Sequence, residues 1–225
     1  MEKREIVIKG TGKVSASPDL LVINLNFEVV EREYERTMLT ATQHLDALRA
    51  AVVSAGHDKK SLKTTAFNVD TEYEHYQDFR KNYKQKFVGY SCTHRLSLEF
   101  DLDMKKLGAT LVAIADCAAK PQFSVKFSVK DPSAVSEQLL QSAIENARQN
   151  AEVLAKAGGV KLGEIKRIDY NWINLNLYSE TSYGLAESSA ALERWRGISM
   201  DFTPMDITPK DIDVSDTVTV IWAME

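Results

Sequence analysis

Apolar and polar residues alternate along this chain in runs that suit a β-strand and little else. From Leu21 to Val29 every second residue is apolar, with Asn24, Asn26 and Glu28 between them. Successive side chains of a strand point to opposite faces, so a period of two marks a half-buried strand. The same period runs through Thr65, Phe67, Val69, Thr71 and Tyr73, and again through Val88, Tyr90, Cys92, His94, Leu96, Leu98 and Phe100. The polar stretch QDFRKNYKQ, residues 77–85, separates these two runs. Together they predict one long hairpin with a charged tip. Phe123–Val129 forms a further short strand, residues 161–177 another, and Val214, Val218, Val220, Trp222 and Met224 give a closing strand.

Gly10-Thr11-Gly12 raises the question of a phosphate-binding loop. Such a loop needs a third glycine three residues on, followed by a helix whose amides face the phosphates. Position 15 is Ser, and a strand pattern follows Ser17-Pro18-Asp19. The segment reads as strand, turn, strand, a hairpin in which the glycines permit a bulge or a close backbone approach.

Three segments repeat with helical period. Met38, Ala41, Leu45, Leu48, Val52 and Ala55 form one stripe between about Tyr34 and Ala55, closed by Gly56. Asp103 caps a second helix running to about Ala119. Asp131-Pro132 opens a third, with Asp as cap and Pro at the first helical position. The stripe of the third helix, Leu140, Ala143, Ala147, Ala151, Leu154 and Ala155, is mostly small, so another element can approach it closely. Helices do not follow every strand and hairpins dominate. The fold class expected is α+β, a largely antiparallel sheet with about three helices on one face. No Gly/Pro-rich linker divides the chain, so residues 1–225 read as one domain, with an irregular insertion at about 178–206.

Composition excludes some functions. Charged residues make up 27% of the chain but the net charge is −4, so no basic nucleic-acid footprint is present overall. Lys59-Lys60 and Arg80-Lys81 are short, solvated runs. No apolar run reaches the roughly 18 residues of a membrane span. Residues 6–15 alternate as a strand does and lack the continuous apolar core of an export signal. On that basis a cytoplasmic location is expected.

The order of motifs resembles the SIMPL-domain family, which includes bacterial periplasmic immunogenic proteins, stress-defence proteins and an animal kinase-binding adaptor. The resemblance rests on Gly10-x-Gly12-x-Val14 with Ser17-Pro18-Asp19, Thr64-Thr65, Val88-Gly89-Tyr90-Ser91 and Phe127-Ser128-Val129-Lys130-Asp131. It continues through Leu154-Ala155-Lys156-Ala157-Gly158, Leu162-Gly163-Glu164-Ile165 and Ile207-Thr208-Pro209. It implies an α+β fold, large homo-oligomers and a loose link to oxidative stress or signalling. The family carries no agreed catalytic residues to transfer.

No catalytic constellation emerges from the residues themselves, and no cofactor is expected. With the hairpin tip near Arg80–Asn82, His75 falls opposite about Phe87 and His94 opposite about Val69. The two are then about 20 Å apart, too far to share a metal. Neither Cys92 nor Cys117 belongs to a CxxC pair. Both read first as buried structural thiols, with a redox role as the alternative. The acids Asp201, Asp206, Asp211, Asp213 and Asp216 read as a solvated edge. Tyr170, Trp172, Tyr178, Tyr183 and Trp195 surround the irregular segment and suit an interface, or a ligand cleft lined by Trp172, Tyr178 and Trp195.

The expected function is therefore a non-enzymatic, self-assembling scaffold or stress-linked adaptor. Its contact surface is expected at Phe79, Arg80, Tyr83, Tyr178, Tyr183, Trp195 and Phe202. The expected partners are further copies of the chain or another protein.

Overall fold

The computed structural model describes residues 4–77, 81–171, 175–184 and 207–225. In chain order the elements are β1 (Glu5–Ala16), β2 (Leu20–Glu31), α1 (Tyr34–Ser54), β3 (Leu62–Gln77), β4 (Tyr83–Asp101) and α2 (Met104–Ala115). Then follow β5 (Gln122–Ser128), α3 (Pro132–Ala157), β6 (Leu162–Asp169), β7 (Tyr178–Gly184) and β8 (Ile212–Met224). The α+β class and the three helices stand as expected, but the strands form two sheets, in the orders β1-β8-β6 and β3-β4-β2-β5-β7. Pairs β1–β8, β6–β8, β2–β4 and β3–β4 are antiparallel. The helices are divided between the sheets rather than gathered on one face.

This corrects the first expected hairpin. β1 pairs with β8 from Glu5↔Ala223 to Ala16↔Ile212, while β2 pairs with β4. Ser17-Pro18-Asp19 is thus a link from one sheet to the other. Asp19 holds it in place: its amide donates to the Ser128 carbonyl at 3.0 Å, and its carboxylate accepts from the Lys130 amide at 2.7 Å. A Pro-Asp pair signals that the chain turns. It does not say whether the strands on either side then pair.

The chain divides into two compact units. The first comprises residues 1–19, 127–181 and 209–225. There α3 packs on β1, β8 and β6, and Ala143, Ala147 and Ala151 bury against Ile8, Val218, Val220 and Trp222. The small stripe is used as its composition suggested. A Cβ on Gly10 would run into the Ala143 carbonyl oxygen, and one on Gly12 into that of Leu139. The Gly-Thr-Gly motif is therefore a docking surface for a helix backbone. The outer edge of β1 is closed by the same helix: the Thr11 amide donates to Asn146 Oδ1 at 3.0 Å and the Lys13 amide to Ser142 Oγ at 3.3 Å. Those two edge amides are thereby withdrawn from pairing with another strand.

The second unit comprises residues 20–126 and 182–208. α1 packs on β2 and β4 and against α2. Leu21, Ile23, Leu25, Phe27 and Val29 of β2, with Cys92, His94, Leu96, Leu98 and Phe100 of β4, make the buried layer. Asp103 caps α2 by accepting from the amides of Lys105 and Lys106, and Asp131 caps α3 by accepting from Ala134. Both caps fall where the sequence places them.

Two further expectations are corrected. The stretch assigned to an irregular insertion begins with a strand, β7, over Tyr178–Gly184; residues 185–206 lie outside the described residues. The acids before the closing strand are not one solvated edge, because β8 is the central strand of its sheet. Asp216 is buried and accepts from Tyr170 Oη at 2.8 Å and from the Thr217 amide at 2.7 Å. Asp211 and Asp213 accept from Ser17 and Ser15.

Candidate functional site

In the second unit the hairpin β3–β4 outgrows its sheet. β2 last pairs with β4 at Glu31↔Tyr90, whereas β3 and β4 continue together from Thr71↔Tyr90 to Gln77↔Tyr83. Beyond Glu72 and Gly89 the two strands form an arm of their own, about 20 Å long at 3.4 Å per residue. The backbone explains why β2 stops there. A Cβ on Gly89 would strike the Glu31 carbonyl oxygen, so only a glycine lets the end of β2 lie over β4 as the chain turns into α1.

The arm exposes aromatic rings. Tyr73, Tyr76, Tyr83 and Phe87 are 45%, 44%, 81% and 42% exposed, well above what a finished sheet shows. Tyr73, Phe87, Tyr90 and Tyr34 form a ladder of edge-on contacts with centroids 5.4–5.7 Å apart. Charge is divided by strand: β3 carries Asp70, Glu72 and Glu74, while Lys84 and Lys86 lie on β4 with Lys81 just before it. Lys86 faces Glu74 across the pair.

Of the expected contact residues, Tyr83 lies on this arm and Tyr178 is exposed on β7. Tyr183 is half-buried, and burial pushes its phenol up. Phe79, Arg80, Trp172, Trp195 and Phe202 lie outside the described residues. Sequence reasoning missed Tyr73, Tyr76 and Phe87 as surface groups. Their alternation looks the same whether or not a third strand covers them.

A second feature lies on the sheet face of this unit turned away from α1. Asn24, Asn26, Thr65, Arg95, Gln122 and Ser124 line a depression of about 390 Å³. Asn26 and Arg95 are directly opposite in the β2–β4 ladder. Thr65 is the extra residue of a β-bulge, since Thr64 pairs with Leu96 and Ala66 with Arg95. None of these six was expected as a site residue, although Thr65 belongs to the Thr64-Thr65 motif. The signal was the pair of carboxamides at 24 and 26 on a face that otherwise needs only solubility.

The histidines do not converge. His75 faces Gln85 and His94 faces Phe67, each register two residues away from the one expected. The offset is already present where the ladder starts, at Gln77↔Tyr83, so it arises at the tip and precedes the bulge between Glu72 and Tyr73. His94 is packed between the rings of Phe27 and Phe67, and its Nε2 lies 2.9 Å from Thr64 Oγ1. His57 Nε2 lies 2.7 Å from Thr110 Oγ1. Among the described residues no group of three His, Cys, Asp or Glu could hold a metal ion. Cys92 and Cys117 are free and buried, and burial pushes the Cys92 thiol up. Among the described residues no helix is long and apolar enough to cross a membrane.

The profile of one family spans residues 6–222, that of SIMPL, protein of unknown function (DUF541). The chain belongs to the SIMPL family. Among its relatives is the 26 kDa periplasmic immunogenic protein of Brucella melitensis, 26% identical over 164 residues. That match covers 72% of this chain and 65% of the relative, so the SIMPL chain spans just under two thirds of that protein. The protein of the same name in Brucella abortus matches equally, at 26% over 164 residues. Uncharacterized protein YggE of Edwardsiella ictaluri is 24% identical over 189 residues, 84% of this chain and 77% of the relative.

These relatives overturn the cytoplasmic expectation, because those named for a location are periplasmic. That expectation rested on the alternation of residues 6–15, which is strand β1 packed under α3. A buried strand reports the fold and carries no information about the compartment.

Proposed function

We propose that this SIMPL protein acts through its surface, as a non-enzymatic scaffold or adaptor that self-assembles through the β3–β4 arm. We place that action in the periplasm, the compartment named for its Brucella relatives. The observation that carries the reading is the arm itself. A two-stranded ribbon is marginal in water without a further strand or a packed face. This one exposes Tyr73, Tyr83 and Phe87 on a single face, and among the described residues no third strand pairs with it beyond Glu72 and Gly89. Exposed aromatic patches of this kind mark interaction sites.

The occupant we favour is a second copy of the chain. The acidic β3 side of one arm complements the basic β4 side of another, an arrangement that repeats head to tail and closes when the rotation allows. The test is native mass by light scattering on a sizing column. The wild-type chain should run at several times 25.2 kDa. The triple variant Tyr73→Ser, Tyr83→Ser, Phe87→Ser should fall to a monomer with its helical circular dichroism retained. A monomeric wild type, or an assembled triple variant, removes the proposal.

A further inference from the structure

The outer edge of β3 below the arm is a surface of its own. β3 is an end strand of its five-stranded sheet and, among the described residues, pairs with β4 alone. Edge strands are usually blunted, and the other sheet shows one way: α3 side chains accept from the Thr11 and Lys13 amides at the edge of β1. Along residues 66–72 of β3 no side chain does this among the described residues. The stretch is also regular. Its pairing with β4 runs unbroken from Ala66↔Arg95 to Glu72↔Gly89, and a register shift bounds it at each end. At about 3.4 Å per residue it offers a template about 24 Å long, and the irregularities on either side confine pairing to that window.

We propose that this edge takes up an extended segment of another protein as an added strand, one that alternates apolar and basic residues. In strand addition the main-chain bonds supply affinity and alternate side chains supply specificity. On the α1 side the template presents Phe67, Val69 and Thr71, and Phe67 is 44% exposed beside the His94 ring. A β-branched residue on that face of the guest covers the Phe67 ring. The opposite face presents Asn68, Asp70 and Glu72, all exposed. Asp70 faces Ser91 and Glu72 faces Gly89 across the pair, and neither carboxylate has a cationic partner among the described residues. Lysine or arginine at alternate guest positions supplies one. The same strand of a second copy does not suit the edge: it would set Asp70 and Glu72 of both chains on one face, with no base in either stretch. The occupant is therefore a different protein, and the proposal does not rest on assembly through the arm.

The probe is the end-capped heptapeptide KVKVKVK, titrated into the full chain by calorimetry, with hydrogen exchange reporting where it lies. Binding should saturate, and exchange should slow at residues 66–72, whose outward amides gain carbonyl partners. The peptide EVEVEVE reverses the charge, and KKVKVVK keeps the composition without the alternation, so each should bind about tenfold more weakly or worse. The exposed double substitution Asp70→Asn, Glu72→Gln should weaken KVKVKVK about tenfold, the loss of its charge-assisted contacts. The triple variant at Tyr73, Tyr83 and Phe87 lies outside the window and should bind the peptide as the wild type does, so failure of the arm reading leaves this result standing. The proposal is overturned if KVKVKVK does not saturate, if either control peptide binds as well, or if the double variant titrates like the wild type. It is also overturned if the peptide binds but exchange at residues 66–72 is unchanged.

Discussion

Gly12 of β1 and Leu139 of α3 meet backbone to backbone, with no room for a side chain between them. Gly10 stands in the same relation to Ala143. A carbonyl oxygen in a helix cannot swing aside, so a methyl group at either glycine must push the helix off the strand. Gly10→Ala and Gly12→Ala should each destabilise by about 1–3 kcal/mol or more, the cost of overpacking a filled core. Urea denaturation measures this. A shift within about 0.5 kcal/mol at both sites would mean the strand and helix are not this close.

Asp216 and Tyr170 give a second stability prediction. The buried carboxylate holds the Tyr170 hydroxyl and the Thr217 amide. That hydrogen bond pushes the Tyr170 phenol above its ordinary value. Tyr170→Phe leaves the carboxylate one donor short and should cost about 1.5–3 kcal/mol. Asp216→Asn keeps the shape and should cost less. Equal denaturation midpoints for Tyr170→Phe and wild type would show the bond contributes nothing.

Stability should fall in mild acid. Burial, and then the nearby Lys106, lower the pKa of His57 from its ordinary 6.5; burial, and then Arg49, do the same for His94. As pH drops through 6.5 the unfolded chain binds protons that the folded chain refuses, so stability is complete above that value and is lost below it. Thr110 spends its one hydroxyl hydrogen on the Lys106 carbonyl, so its oxygen accepts from His57 Nε2. His94→Gln and His57→Gln should each flatten the fall in denaturation midpoint between about pH 7 and pH 5. A pH profile unchanged in both variants would place the acid sensitivity elsewhere.

Cys92 faces the helix-covered side of β4 with no exposed surface, and Cys117 is 7% exposed. Burial pushes the Cys92 thiol up, and both side chains are shielded from a reagent in solution. Both should resist a disulfide reagent at neutral pH and react fully once the chain is unfolded. Rapid, stoichiometric labelling of either in the folded protein would instead support a redox role.

Much of this molecule is legible along the chain because it is local. The Asp103 and Asp131 caps need only their own helix amides, and the alternation of β2 and β4 needs only the geometry of a strand. The small stripe of α3 and the glycines of β1 each pointed to a close approach, and they turned out to approach each other. The candidate sites were less legible. Tyr73 and Phe87 carry the same pattern as covered residues, and their exposure follows from where β2 ends, at Gly89. The depression over Asn26 and Arg95 assembles side chains from β2, β3, β4 and β5, up to about a hundred residues apart.

By itself the sequence determined the three helices and most of the strands, the buried faces of β2, β4 near α1 and β8, the α+β class and the family. These follow from periodicity, capping and motif order, all read within one segment or in linear order. Only the tertiary structure decided the partners: β1 with β8 rather than β2, two sheets rather than one, and Asp216 inside rather than at a solvated edge. Strand pairing is a contest among distant segments with similar patterns, and its outcome depends on which apolar faces can be buried together. A carboxylate is likewise buried or solvated according to whether a donor such as Tyr170, 46 residues away, arrives to meet it.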